Sequence, residues 1–301
     1  MDRVELRQRV GDLSVWRNGD QRAPHKPLLL LWALGRCAAG RERLAPYAEI
    51  DEQLSPLLEE FGPPRRTYHT EYPFWYLRND GLWEVHGTGE ARIREGKASQ
   101  PARGELIRVG AVGGLVPEAF ELVRSDRALL YEIANRLVDA HFADTMREEI
   151  LSAVGLDDWE TIQRRRRDPA FRADVLIAYG YRCAVCSFDA RMRTVPLAIE
   201  AAHIRWHQAG GPDRVANGLG LCSLHHTLFD RGAFTLSYDL LVVVSGLVNG
   251  GEATEQALFR FDGSSIQLPR REASQPHPEF LGWHRREVFK GDGSTDPAWG
   301  G

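Results

Sequence analysis

The sequence predicts an α+β protein in which a mixed α/β domain is followed by a smaller domain held together by a metal ion. Three observations support this fold class. The length of 301 residues is typical of about two domains. Helical apolar spacing and a strand-like alternation share the first half. Paired cysteine and histidine half-sites follow in the second half, so the two parts are expected to be stabilised differently.

The first half has the pattern of several helices and one clear strand. Residues 4–16 and 27–39 show helical apolar spacing, and the second segment begins with a proline at a tolerated first-turn position. Residues 82–85 alternate like a strand after an Asn-Asp-Gly turn. Residues 129–141 and 144–154 are amphipathic at helical spacing. These patterns predict an independent domain over residues 1–155.

The second half starts after an arginine-rich segment. Four arginines occupy positions 164–167, and this run fits a solvated linker as well as a phosphate-contacting one. A helix is predicted over 170–179, a strand over 242–245 and a docking helix over 279–289. We therefore assign residues 156–170 to a linker, 171–290 to the second domain with its C-terminal docking helix, and 291–301 to a flexible tail.

Composition and charge restrict the class of protein. No apolar run approaches the roughly 18 residues of a membrane-spanning helix, and the N-terminus lacks the apolar core of a secretion signal. We expect a cytoplasmic protein, in agreement with cysteines used for metal binding. The net charge of −4 is unusual for a DNA-binding protein. Residues 160–231, however, carry eleven Arg or Lys against seven Asp or Glu, so the second domain is locally basic.

Two paired half-sites predict a structural zinc site. Cys183 and Cys186 form one C-x2-C pair, and Cys222 with His225 forms a second pair of the same spacing. Zn²⁺ prefers four tetrahedral sulfur or nitrogen ligands, which two such turns supply with little strain. Four unrelated buried side chains are the alternative. Because three thiolates and one imidazole complete the coordination, we expect this ion to stabilise the fold and to take no part in catalysis.

A second set of residues is interleaved with the zinc ligands. His203 lies in A-A-H-I, Asn217 in N-G-L, and His226 in H-x-L-F-D-R-G. Taken singly, these residues fit a packing histidine and a turn-forming Asn-Gly. Their joint spacing over residues 168–245 resembles the HNH, or ββα-metal, nucleases.

The HNH resemblance implies a role for each of these residues. His203 would act as general base on a water molecule, and Asn217 would brace the loop and orient that imidazole. His226 would ligate a catalytic divalent cation such as Mg²⁺, Mn²⁺ or a transition metal. Many family members place a second metal ligand directly before the base, where this chain has Ala202. Glu200, Asp230 or a backbone carbonyl could supply the missing ligand.

Two basic, proline-containing stretches in the first domain carry a second resemblance. R-A-P-H-K-P-L-L-L-L begins at residue 22, and Y-H-x-E-Y-P-F-W-x-L-x-x-D-G-L-W begins at residue 68. Both are similar to the sulfur-binding domain of bacterial phosphorothioate-dependent restriction enzymes, which precedes an HNH domain in the same order. The resemblance implies a pocket wall of Tyr72 and Pro73, with Tyr76 nearby. It implies phosphate or base-edge contacts from Arg22, His25, Arg65 and Arg66. A core corner with exposed arginines at its rim is the alternative.

Together these two resemblances imply a modification-dependent endonuclease that acts on phosphorothioate-bearing double-stranded DNA. Three alternatives stay open: an enzyme for another modification such as methylated cytosine, a DNA reader with an inactive HNH domain, and a zinc protein that binds no nucleic acid. One active site hydrolyses one strand at a time, so a homodimer is expected for double-strand cleavage.

Overall fold

The computed structural model describes residues 1–15, 23–92, 100–156 and 169–291. The chain divides into two compact units, Met1–Gln163 and Arg164–Gly301. The four arginines at 164–167, most of the predicted linker and nearly all of the predicted tail lie outside the described residues. Among the described residues, no helix is both long enough and apolar enough to cross a membrane.

The first unit combines helices with one small sheet. Its helices are α1 (Arg3–Gly11), α2 (His25–Ala38), α3 (Tyr47–Phe61), α4 (Glu71–Tyr76), α5 (Arg103–Arg108), α6 (Pro117–Ser125), α7 (Arg127–His141) and α8 (Arg147–Ala153). Its strands are β1 (Leu44–Pro46), β2 (Trp83–His86) and β3 (Val112–Leu115). β3 is the central strand and pairs antiparallel with both neighbours. The predicted strand at 82–85 corresponds to β2.

Helix α2 is the centre of the core of the first unit. Its residues from Pro27 to Gly35 are all buried, and it packs against α3, α4, α6 and α7. An α-helix that is apolar on every side requires such complete enclosure. The predicted helix at 4–16 ends earlier, at Gly11, and the pattern at 144–154 forms a 3₁₀ turn followed by α8.

A buried polar network holds the beginning of α4. The Tyr47 hydroxyl lies 2.8 Å from the Thr70 hydroxyl, and Thr70 donates to the Asp51 carboxylate. The Arg103 guanidinium donates to the other oxygen of Asp51. Thr70 has no exposed surface. Because buried polar groups are costly without partners, this network fixes the backbone that leads into α4.

The second unit contains a ββα motif flanked by short elements. Its helices are α9 (Pro169–Ala178), α10 (Ser223–Asp230), α11 (Glu252–Ala257) and α12 (Pro278–Glu287). Its strands form three antiparallel pairs: β4 (Arg191–Met192) with β5 (Val195–Pro196), β6 (Ile199–His203) with β7 (Gly218–Cys222), and β8 (Phe234–Leu236) with β9 (Val242–Val244). The strand predicted at 242–245 and the helices predicted at 170–179 and 279–289 correspond to β9, α9 and α12.

Two glycines on β7 allow α9 to pack closely on the ββα motif. A Cβ at Gly218 would lie 2.5 Å from Val175 Cγ2, and one at Gly220 would lie 2.8 Å from Tyr179 Cβ. Ordinary carbon contacts are about 3.5–4.0 Å. The N-G-L-G pattern is therefore explained by helix-to-strand packing as well as by the turn that precedes β7.

Helix α12 packs on the same motif through His284. The imidazole is fully buried and stacks on Phe229, with ring centroids 3.7 Å apart. Its nitrogens lie 2.9 Å from the Thr235 hydroxyl and 3.0 Å from the Phe229 carbonyl oxygen. Both ring nitrogens are thus partnered, which stabilises a buried polar side chain.

Candidate functional sites

The four predicted zinc ligands converge in the second unit. The ligand atoms of Cys183, Cys186, Cys222 and His225 all lie within 4.8 Å of one another. Cys186 Sγ is 3.9 Å from Cys222 Sγ, and His225 Nδ1 is 3.6 Å from Cys183 Sγ. Ligands around a tetrahedral zinc at about 2.3 Å are separated by roughly 3.8 Å. The donor set and its spacing therefore fit a tetrahedral metal ion.

The electrostatics of this cluster also favour a cation. Burial lowers the pKa of His225, but hydrogen bonds to the three thiol groups outweigh burial and raise this pKa to about 12. The three sulfur atoms thus favour positive charge on His225 despite its burial. Zn²⁺ would take the place of the proton on Nδ1.

His203 lies at the end of β6, where its imidazole contacts Asp213 and Phe171. Its Nε2 is 2.7 Å from Asp213 Oδ1. Its ring stacks on Phe171 of α9, with centroids 3.9 Å apart and an angle of 16° between the planes. The side chain keeps 17% of its surface exposed. A partly exposed imidazole with one nitrogen on a carboxylate has the environment of a general base.

Asn217 is completely buried and binds the loop between β6 and β7. Its Oδ1 accepts from the Arg205 backbone N–H at 2.9 Å. Its Nδ2 donates to the carbonyl oxygens of Arg205 at 2.9 Å and Pro212 at 3.0 Å. One amide thus binds two separate points of the loop that follows His203.

His226 lies between two carboxylates. Its Nδ1 is 2.6 Å from Glu200 Oε2, and its Nε2 is 3.3 Å from Asp230 Oδ2. Glu200 also accepts from the Ser223 hydroxyl at 2.9 Å. Glu200 and Ala202 lie on the same face of β6, because side chains alternate along a strand. The fold therefore brings both carboxylates predicted as possible ligands to the imidazole, Glu200 from the β6 face that it shares with Ala202 and Asp230 from α10.

The predicted basic contacts of the first unit lie near the start of α2 and before α4. Burial, together with the nearby charges of Arg65 and His69, lowers the pKa of His25 to about 4. Arg65 and Arg66 are exposed. Arg22 lies outside the described residues. At neutral pH, His25 is thus an uncharged ring in a positively charged neighbourhood.

The predicted wall residues lie on α4. Tyr72 keeps 36% of its surface exposed and stacks on His69, with ring centroids 4.7 Å apart. His69 is held by the buried carboxylate of Glu71 at 3.0 Å. Pro73, the other predicted wall residue, is buried. The Tyr76 hydroxyl donates to Gln100 at 2.8 Å, so its polar end is fixed by a buried amide.

The alternative interpretation of this segment, a corner of the hydrophobic core with exposed arginines at its rim, accounts for the two residues that follow Pro73. Phe74 has no exposed surface and packs against Tyr47 at 4.7 Å between ring centroids. Trp75 is 8% exposed and has the Arg78 guanidinium 3.7 Å from its ring centroid. Helix α4 thus directs Phe74 and Trp75 into the core, whereas Tyr72 faces outward.

Several residues that contact the candidate sites are missing from the predicted set. Among them are Asp213 and Phe171, which contact His203, and His69, which contacts Tyr72. An acidic residue in the loop between the A-A-H-I and N-G-L motifs is a weak sequence signal for Asp213. Phe171 resembles any apolar residue of an amphipathic helix, so its contact depends on packing alone.

Comparison with known proteins gives matches for both units. Residues 3–159 match the family model of the ScoMcrA-like, DNA sulfur-binding domain, and residues 183–237 match that of the HNH endonuclease. No curated protein matches the chain significantly.

Solved structures are similar to the chain over part of its length. The sulfur-binding domain of ScoMcrA complexed with phosphorothioated DNA is 29% identical, with a TM-score of 0.46, and 50% of this chain covers 96% of it. The corresponding SprMcrA domain is 26% identical, with a TM-score of 0.46, over 53% of this chain and 97% of that one. The Type IV restriction endonuclease ScoMcrA is 27% identical, with a TM-score of 0.44, over 53% of this chain and only 35% of its own length.

The predicted α+β fold class and both predicted resemblances are confirmed by these family matches. The sulfur-binding match covers more than half of the chain, and the HNH match contains every zinc-ligand candidate together with His203, Asn217 and His226. The chain belongs to the ScoMcrA-like DNA sulfur-binding domain family and carries an HNH endonuclease domain after that domain.

Proposed function

We propose that this protein is a divalent-metal-dependent endonuclease that recognises phosphorothioate-modified double-stranded DNA and hydrolyses phosphodiester bonds near the modification. One observation carries the proposal: a sulfur-binding domain over residues 3–159 precedes an HNH endonuclease domain over 183–237 in one chain. A domain that finds a backbone modification is thereby tethered to a domain that cuts a backbone.

The exposed surface around α4 suits a phosphorothioate. Sulfur is larger, softer and more weakly hydrated than oxygen, so it gains dispersion energy from an apolar wall. Tyr72, exposed beside His69 and followed by the buried Pro73, would form that wall. His25, Arg65, Arg66 and Arg22 would contact flanking phosphates or base edges. Because His25 is uncharged at pH 7, the arginines would supply the attraction to phosphate.

The HNH unit would hydrolyse the backbone with His203 as general base. The imidazole takes a proton from a water molecule, and the water oxygen forms a bond to phosphorus. The bond between phosphorus and the leaving deoxyribose oxygen breaks in line with that attack. A divalent cation, when bound, would neutralise charge on the phosphate and stabilise the leaving oxygen.

The donor set around His226 fits such a cation. An imidazole nitrogen and carboxylate oxygens are ligands for Mn²⁺, for Mg²⁺ and for several transition metals. His226 and Asp230 would hold the ion, since Nε2 and Asp230 Oδ2 are already 3.3 Å apart. Glu200, which contacts Nδ1, would orient the ring. We assign Zn²⁺ to the separate Cys183, Cys186, Cys222 and His225 site, where it stabilises the fold.

Plasmid cleavage tests the proposal. Plasmid with phosphorothioate linkages and the same plasmid without them are incubated with the protein, under Mn²⁺ or Mg²⁺ and under chelator. Strand breaks are expected only in modified plasmid with metal, and His203→Ala should abolish them. Cleavage of methylated but not phosphorothioate DNA would overturn the assignment of the modification. Retention of modified DNA without cleavage under any metal would identify a reader with an inactive nuclease.

We further propose that two copies act together on the two strands. Each chain carries one His203 and one His226, so one site cuts one strand at a time. Size-exclusion chromatography with light scattering on cleavable DNA should show two chains per duplex. A strict monomer that makes double-strand breaks would contradict this assembly.

A further inference from the structure

We propose that Asp213 is a positioning residue for His203, and that Asn217 acts on the general base through Asp213. This inference rests on the proposed nuclease function and names a residue that the sequence motifs do not include. The motif histidine and the motif asparagine are thereby connected through a third side chain.

The contact between the two side chains selects one form of the imidazole. Asp213 Oδ1 lies 2.7 Å from His203 Nε2. An ionised carboxylate only accepts hydrogen bonds, so Nε2 must carry the proton. In the neutral ring the other nitrogen, Nδ1, then holds the lone pair. His203 therefore takes the water proton on Nδ1, and the resulting imidazolium is stabilised by Asp213.

Asn217 fixes the position of Asp213 through the loop backbone. The Asn217 amide donates to the carbonyl oxygen of Pro212, the residue directly before Asp213. Gly211, one residue earlier, has no room for a Cβ, which would lie 1.8 Å from the Arg205 carbonyl oxygen and 2.8 Å from Asn217 Nδ2. The loop is thus packed tightly around the amide. Loss of the amide would release Asp213 before it changed any direct contact with the imidazole.

Asp213 contacts the edge of the imidazole, whereas helix α9 contacts its flat face. Phe171 stacks on the ring, with centroids 3.9 Å apart, and His207 approaches with its ring centroid 6.2 Å away. Stacking limits the tilt of the ring but does not distinguish the two orientations related by a 180° flip about the Cβ–Cγ bond, which exchanges Nδ1 with Cδ2 and Nε2 with Cε1. A directional hydrogen bond to Nε2 favours one of these orientations, and Asp213 supplies such a bond.

The experiment compares Asp213→Asn and Asp213→Ala with the exposed-carboxylate control Asp174→Asn in the full chain. Asp174 lies on α9 with Phe171 and is exposed, so its substitution changes net charge equally. Zinc content confirms that each variant is folded. Single-turnover cleavage of phosphorothioate duplex should slow about 10- to 100-fold in both Asp213 variants, less than the roughly 100- to 10,000-fold attributed to a general base itself. The Kd for that duplex should stay within threefold of the native value, and Asp174→Asn should match the native rate.

Nitrogen-15 NMR of the histidine rings gives a readout that is independent of cleavage. With His203→Gln used to assign the signal, native His203 should show a protonated Nε2, and Asp213→Ala should show a mixture of the two neutral forms. A native ring protonated on Nδ1, or native cleavage rates in Asp213→Asn, would overturn the inference. So would a loss of Mn²⁺ affinity in Asp213→Asn, which would make Asp213 a metal ligand. If the native chain cuts no DNA, the proposed function fails, whereas the NMR result still decides the role of Asp213.

Discussion

Gly218→Ala tests whether helix α9 and strand β7 must pack as closely as the structure shows. The added Cβ would lie 2.5 Å from Val175 Cγ2 and 3.2 Å from Phe171 Cζ. Val175 is fully buried and Phe171 is 5% exposed, so neither side chain can move into solvent. The helix must therefore shift by about 1 Å to restore ordinary contact distances.

The expected cost follows from this overpacking. Inserting a methyl group into a well-packed core costs about 1–3 kcal/mol, which corresponds to roughly 5- to 150-fold in an equilibrium constant. Because Phe171 also stacks on His203, the shift should slow DNA cleavage as well.

Hydrogen exchange followed by mass spectrometry measures this cost separately in the second unit, which contains α9 and β7. Backbone amides of β6 and β7 should exchange about 5- to 150-fold faster in Gly218→Ala than in the native chain, if exchange follows unfolding of this unit. Gly251→Ala is the matched control, since a Cβ there meets no atom within 4 Å. Unchanged protection in Gly218→Ala, with a native cleavage rate, would refute the packing explanation for the N-G-L-G pattern.

Three further outcomes are expected. Cys183→Ser should lose zinc, measured by metal analysis, and lower the melting temperature of the HNH unit, whereas His203→Ala should retain both. His25, with a folded pKa of about 4 against 6.5, stays neutral where the unfolded chain is protonated. The contribution of His25 to the free energy of unfolding is therefore complete above pH 6.5 and falls by about 3 kcal/mol as the pH drops to 4. His25→Gln should remove this pH dependence, measured by urea unfolding with hydrogen exchange of the α2 amides as the readout. Tyr72→Ala should weaken binding of phosphorothioate duplex about tenfold and unmodified duplex little, whereas Arg66→Ala should weaken both equally and reduce the salt dependence.

Sequence patterns were sufficient for the parts of this protein that depend on local spacing. Cys183 and Cys186 share one turn, as do Cys222 and His225, so their spacing alone predicts two half-sites of one metal site. The apolar pattern of α2 likewise predicts a buried helix, although its start at His25 depends on the preceding turn. The joint order of His203, Asn217 and His226 predicts a nuclease for a similar reason.

Contacts between distant residues were decided by tertiary structure. Asp213 meets His203 because a loop folds back around the Asn217 amide, and no periodicity in the sequence reports that return. Glu200 could be named only as one of several possible metal ligands, and its contact with His226 could not be predicted. Their 2.6 Å contact depends on how α10 packs against β6.

The sequence by itself determined the family, the order of the two domains and the type of chemistry, because those depend on which residues occur and how far apart they are. Only the tertiary structure decided which nitrogen of His203 contacts a carboxylate, which face of α4 points outward and which acids accompany His226. The physical reason is that hydrogen bonds require atoms within about 3 Å. Such distances are set by the packing of whole elements, which spacing along the chain does not specify.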